Sequence, residues 1–183
     1  MTRILLFAAA SLFLAVISRK SLLIPRSHGF YRFFAWEAIL GLILLNAPAW
    51  FRTPLASHQI ASWILLMASL IPLILGVRSL RQQGGVRLAR QSEPSLLPFE
   101  TTTALVTTGI YARIRHPLYA SLLLLAWGTF LKSPSWAGGL LAAASTMFLL
   151  ATARLDEAEC IRFFGDDYLR YMQRTRMFIP YVF

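Results

Sequence analysis

Five apolar stretches, separated by short polar and basic segments, constrain this chain more than any other feature. They run roughly from Thr2 to Ser18, Tyr31 to Trp50, Ile60 to Val77, Pro117 to Leu131 and Trp136 to Ala153. About 20 apolar residues in a helix cross a bilayer, within a range of roughly 17–25. Backbone polar groups find no water there, so such stretches fold as helices. The second, third and fifth meet that length. The fourth is short, about 22 Å at about 1.5 Å per residue, so it should begin below the membrane surface. The first stretch follows Arg3 and has the outline of a signal peptide, but its stronger charges, Arg19 and Lys20, come after it. It reads as a retained membrane helix.

With 57% hydrophobic and 14% charged residues, the composition opposes a water-soluble globule. The expected fold is all-α and integral to the membrane, with about five transmembrane helices in a single domain, 1–183. Within it, 1–77 should hold three helices, 78–116 a cytoplasmic cofactor-binding loop, 117–153 a helical hairpin and 154–183 a cytoplasmic tail that completes the site.

The net charge of +10 could suggest nucleic acid. The basic residues lie between the apolar stretches, however, not along one polar face, and read as topology signals. Arg3, Arg52 and Lys132 fall on one side of a five-span arrangement and the other fifteen of the 18 lysines and arginines on the other. The positive-inside rule then puts the N-terminus outside and the C-terminus in the cytoplasm, in an inner or plasma membrane. The lone Cys160 has no internal disulfide partner. The three histidines lack zinc-ligand spacing, so neither metal nor nucleic acid is expected.

Thr102 to Tyr119, TTALVTTGIYARIRHPLY, joins the polar third loop to the fourth span. Pro117 suits the first position of a helix, where its missing N–H has no partner in any case. Arg115 and His116 then stand at a helix mouth, where unpaired backbone N–H groups and the helix dipole favour an anion. The alternative is an arginine anchored to lipid phosphates and, for Tyr119, a place in the interfacial aromatic belt. The short turn Lys132-Ser133-Pro134-Ser135 makes spans four and five an antiparallel hairpin, with Gly139 and Ala143 as a small packing face. That hairpin should bring Arg115 and His116 beside Arg154, Asp156, Glu157 and Glu159. Gly84-Gly85, Pro94 and Pro98 break any helix in the third loop.

After Ala153 the pattern becomes amphipathic, with Leu155, Ile161, Phe164 and Tyr168 on one side. A cytoplasmic helix should end at Gly165, and Asp166 could cap a further short helix through Tyr171. Glu37, inside the second span, is expected to pair with Arg32 or Arg26. Asn46 reads as a bond between helices, Cys160 as a packing residue, and His28 and His58 as loop residues without a role.

Taken together, Leu105-Val106-Thr107-Thr108-Gly109-Ile110-Tyr111, Arg115-His116-Pro117-Leu118-Tyr119, Gly128-Thr129, Asp156-Glu157, Phe163-Phe164-Gly165-Asp166-Asp167-Tyr168, Tyr171 and Ile179-Pro180 resemble the isoprenylcysteine carboxyl methyltransferase family and its phospholipid-methyltransferase relatives. The resemblance covers roughly Leu75 to the end. It implies a membrane methyltransferase using S-adenosylmethionine at the cytoplasmic face. By that resemblance Leu105, Val106, Thr107, Gly109, Tyr111, His116, Tyr119 and Glu157 surround the cofactor, and Arg115 and Glu157 are the expected catalytic residues. The family's pattern is broken at Thr103, Ser121 and Thr152, where histidine, glycine and an acceptor-side arginine are usual. The acceptor is therefore open among an isoprenylcysteine-like carboxylate, a phospholipid amine and a small thiol. Membrane sterol reductases using NADPH carry a similar Arg-His-Pro-x-Tyr motif, and a scaffold without catalysis is the remaining alternative.

Overall fold

The computed structural model describes residues 1–83 and 104–180. Expectations for Gly84-Gly85, Pro94, Pro98 and Thr103 lie outside the described residues. Among the described residues six α-helices follow in order: α1 (Thr2–Leu22), α2 (His28–Asn46), α3 (Ser57–Gln83), α4 (Pro117–Phe130), α5 (Trp136–Phe164) and α6 (Asp166–Arg174). Four of them, α1, α2, α3 and α5, are long and apolar enough to cross a membrane. Their outer faces carry Ile4, Leu12, Ile64, Ile71, Leu140 and Met147 exposed, a surface suited to lipid rather than water.

α4 has 14 residues, about 21 Å of helix against a hydrocarbon core of about 30 Å. Among the described residues four helices are thus long enough to cross a membrane, and α4, the fourth apolar stretch, is short, as its length in the sequence implied. α5, by contrast, has 29 residues, about 43 Å. The amphipathic segment after Ala153 is its continuation and not a separate helix. Gly165, at φ +58°, ends it, and α6 follows directly. Asp166 is the first residue of α6 and makes no capping bond. α3 likewise runs six residues beyond Val77, so the segment that begins at Arg78 starts as helix.

Local chemistry explains where the helices start. Ser27 Oγ accepts the Phe30 N–H at 3.2 Å at the start of α2, and Ser135 Oγ accepts the Gly138 N–H at 3.1 Å at the start of α5. These side chains satisfy N–H groups that a helix end leaves unpaired. Pro117 opens α4 with His116 before it.

α2 lies along α5, α3 along α4, and α1 packs on α2, while α4 also touches α5. Small residues let these helices close. Ala35, Ala142, Leu149 and Ala153 are fully buried where α2, α4 and α5 meet. The small face of α5 is Gly138, Ala142 and Ser145; Ala143 is exposed. The expected Gly139/Ala143 face is therefore one residue, about 100° of helix rotation, out of phase. Between α3 and α4 the approach is tight at Gly76, where a Cβ would stand 3.1 Å from Leu118 and 3.2 Å from Pro117.

Buried polar groups are tied across helices. Asn46 Nδ2 donates to the Thr129 carbonyl at 2.8 Å, as expected of an interhelical bond. At the same end, Lys132 Nζ donates to Gln59 Oε1 at 3.1 Å and stands 3.5 Å over the Trp63 ring. Glu37 pairs with neither Arg32 nor Arg26; Ser11 of α1 donates to its Oε2 at 2.5 Å. Glu37 points towards α1, whereas Arg32 is buried on α2 with its guanidinium 5.1 Å over Trp36.

Candidate functional site

The mouth of α4 is held by the tail and by α5. The tail beyond α6 runs beside the segment before α4: the Arg115 N–H donates to the Arg176 carbonyl at 2.8 Å and the His116 N–H to the Met177 carbonyl at 3.1 Å. Ile114 and Arg176 form a parallel bridge. With their backbones fixed in this way, the Arg115 and His116 side chains meet α5.

On α5 three carboxylates, Asp156, Glu157 and Glu159, meet the side chains of Arg115, His116, Tyr119 and His28. Glu157 faces the α4 mouth: Arg115 Nε donates to its Oε1 at 2.6 Å and His116 Nε2 lies 3.2 Å from the same oxygen. Arg115 Nη1 also donates to the carbonyls of Thr175 at 2.7 Å and Met172 at 3.3 Å. Asp156 accepts from the Tyr119 hydroxyl at 3.3 Å and lies 3.5 Å from His116 Nδ1. Glu159 turns the other way, to His28 at the start of α2. The His116 ring stacks on Tyr119, 5.3 Å between centroids.

These groups border one cavity of about 710 Å³ including its open mouth, lined by Val106, Tyr111, His116, Tyr119, Asp156 and Tyr168 among others. Burial alone would make His116 a weaker base, but hydrogen bonds and charge from Asp156 and Glu157 outweigh it, and its pKa is raised. Burial, reinforced by nearby carboxylates, pushes the Tyr168 and Tyr171 phenols up. Both stay protonated, and Tyr171 donates to the Tyr111 carbonyl at 2.8 Å.

Of the residues singled out from sequence, Leu105, Val106, Tyr111, Arg115, His116 and Tyr119 line this cavity. Glu157 is not on its wall; it stands behind, clamping Arg115 and His116. Thr107 is exposed and borders an outer recess with Arg170 and Arg174. Gly109, at φ +63°, turns the chain against α3, where a Cβ would meet Ser79 Oγ at 2.8 Å. Its role is to bend the segment that carries Leu105, Val106 and Tyr111.

Among the wall residues that the sequence did not point to, three bear on the chemistry. Asp156 was expected nearby but given no role, and Cys160, read as packing, lines the cavity with its thiol 3.7 Å from Asp156 Oδ1. His28, read as a loop residue, is fully buried and on the wall. The i, i+4 spacing of Asp156 and Cys160, continued at Phe164, puts them on one α5 face. That signal was legible in the sequence. For His28 there was none.

Comparison with known proteins finds similarity over the same part of the sequence. Residues 92–166 match the family model described as phospholipid methyltransferase. Methanethiol S-methyltransferase 1 of Bradyrhizobium diazoefficiens is 36% identical over 73 residues, 39% of this chain and 25% of that protein. Protein-S-isoprenylcysteine O-methyltransferase of Schizosaccharomyces pombe is 34% identical over 79 residues, 43% of this chain and 34% of that protein. Methanethiol S-methyltransferase of Crocosphaera subtropica is 28% identical over 76 residues, 42% of this chain and 29% of that protein. This chain thus spans a quarter to a third of the length of these relatives. No solved structure matches. The segment that builds the α4 mouth and the carboxylate face of α5 is thus the part of the chain that is similar to phospholipid methyltransferases, methanethiol S-methyltransferases and a protein-S-isoprenylcysteine O-methyltransferase.

Proposed function

We propose that this chain is an integral-membrane methyltransferase that takes the methyl group of S-adenosylmethionine to a small or lipophilic acceptor at the cytoplasmic face. One observation carries this reading. Arg115 and His116 at the mouth of α4, clamped from behind by Glu157, converge with Asp156 of α5 on a pocket, and these four residues lie in the segment matched by a methyltransferase family model. The residues present fit the donor. Its carboxylate suits the positive helix mouth with Arg115 and His116. Its ammonium or sulfonium suits the Asp156 carboxylate and the faces of Tyr119, Tyr168 and Tyr171. Leu105 and Val106 supply apolar wall for the adenine.

The donor supplies a methyl group on a cationic sulfur. The protein's part is to bind it in line with an acceptor and to keep water away, since charge dispersed during transfer is less favoured in water than in a half-buried pocket. The short α4 serves that end by setting its mouth below the ends of α3 and α5.

Binding of labelled S-adenosylmethionine and of NADPH to the purified protein tests the reading. The donor should bind to the wild type and at least tenfold more weakly to His116→Ala, and label should pass from it to a membrane lipid or thiol. NADPH binding in its place would mean a reductase. Binding of neither would leave a scaffold.

A further inference from the structure

The front of the chain, outside the matched segment, contributes one polar group to the pocket. His28 opens α2 and is fully buried. Its backbone N–H donates to Glu159 Oε1 at 3.2 Å and its Nδ1 lies 2.6 Å from Glu159 Oε2. Both carboxylate oxygens are therefore used to fix one residue. A carboxylate accepts, so Nδ1 carries the proton, and in the neutral ring Nε2 keeps a lone pair. Nε2 has no hydrogen-bond partner among the described residues, and His28 lines the same cavity as Tyr119, Asp156 and Cys160. Buried polar atoms in folded proteins are almost always paired. An unpaired, fixed imidazole nitrogen on the wall of a ligand pocket is a place for a ligand's proton.

We propose that His28, oriented by Glu159, accepts the proton of the methyl acceptor, and that the acceptor is a neutral protic nucleophile, a thiol or amine, rather than a carboxylate. This rests on the methyltransferase reading above. The acceptor's lone pair forms the new bond to the methyl carbon. The bond from that carbon to the donor sulfur breaks, and its electron pair stays on the sulfur, which becomes a neutral thioether. The acceptor's proton passes to His28 Nε2, the imidazolium is held by Glu159, and the proton leaves to water through the open mouth of the cavity. A carboxylate acceptor has no proton to give. It would also meet the Asp156 carboxylate on the same wall. The chemistry is that of the dyad in which an acid orients a histidine base, built here across α2 and α5.

The test uses the full chain in detergent or nanodiscs with labelled S-adenosylmethionine and three acceptors: a small alkyl thiol, vesicles containing an ethanolamine phospholipid, and a prenylated cysteine carboxylate. In the wild type, label should enter the thiol or the amine, and the two arms tell these sources apart. His28→Gln should keep donor affinity within about twofold and lose about 100-fold in transfer, the lower end of what a positioned general base contributes. That loss should shrink towards none with aromatic thiols, which are already ionised at neutral pH. Glu159→Gln, which keeps an acceptor for Nδ1–H, should lose about tenfold. An equal loss for alkyl and aromatic thiols, or loss of donor binding together with transfer, makes His28 structural and overturns the proposal. So does label entering only the carboxylate. Failure of the wild type to bind donor at all is a separate result, which removes the methyltransferase reading itself.

Discussion

Arg115 Nε and Glu157 Oε1 meet at 2.6 Å across 42 positions of sequence, with both side chains about 10% exposed. The pair closes the open end of the α4–α5 hairpin, and Arg115 adds two tail carbonyls to it. Removing one partner leaves the other charge buried without compensation, which costs about 3–5 kcal/mol. Glu157→Ala should therefore lower the melting temperature in detergent and weaken donor binding, because His116 loses its orienting carboxylate as well. Replacing both residues by apolar ones, Arg115→Met with Glu157→Leu, should restore much of the stability and none of the binding. A double-mutant cycle read by unfolding and by donor affinity separates the two effects.

His116 predicts a pH dependence of definite sign. Asp156 and Glu157 raise its pKa above the usual 6.5 despite burial. A group whose pKa is raised by folding stabilises the fold fully below its unfolded value and loses that contribution as pH rises through the folded value. The stability difference between wild type and His116→Gln should be largest below about pH 6.5 and shrink on the alkaline side. Parallel denaturation series from pH 5 to 9 check this; a difference that grows with pH contradicts it.

Gly109 combines a left-handed φ of +63° with a Cβ position 2.8 Å from Ser79 Oγ. Gly109→Ala should cost about 1–2 kcal/mol from backbone conformation, plus the contact with α3. Adding Ser79→Gly should recover the contact and leave the backbone part. Unfolding of the two variants separates the terms. Donor binding should follow stability, because Gly109 shapes the segment carrying Leu105 and Tyr111 without lining the pocket itself.

The α4–α5 end of the site was legible in the sequence because charge is conspicuous in an apolar chain. Arg115, His116, Asp156 and Glu157 stand at the ends of two stretches joined by a four-residue turn, and a hairpin can place them only together. The rotation of α5 was not legible. Lipid-facing and protein-facing sides of a membrane helix are both apolar, so periodicity could not choose Gly138 and Ala142 over Gly139 and Ala143. The pairing of α2 with α5 was hidden for the same reason. With it went His28, whose partner Glu159 lies 131 positions away. The drop in hydropathy after Ala153 suggested a break where the backbone continues, because composition reports surroundings and helix hydrogen bonding does not depend on them.

The tail beyond α6 should matter as much as the motif it touches. Phe178 is 5% exposed, packs with Ile114, Tyr119 and Leu149, and its ring lies 6.1 Å from that of His116. It anchors the strand-like run whose Arg176 and Met177 carbonyls hold the Arg115 and His116 backbones. Phe178→Ala should cost about 3–5 kcal/mol and release those two N–H groups, so donor affinity should fall with stability. Phe163, 40% exposed on the outer side of α5, is the internal control. Its replacement by alanine removes the same side chain from a place where it is already partly uncovered, and should cost clearly less stability than Phe178→Ala with donor affinity kept. Thermal unfolding and donor titration of the two variants side by side decide the matter. Equal losses would mean that the tail is a general packing element, and a loss confined to Phe178→Ala would mean that it holds the mouth of α4 in place.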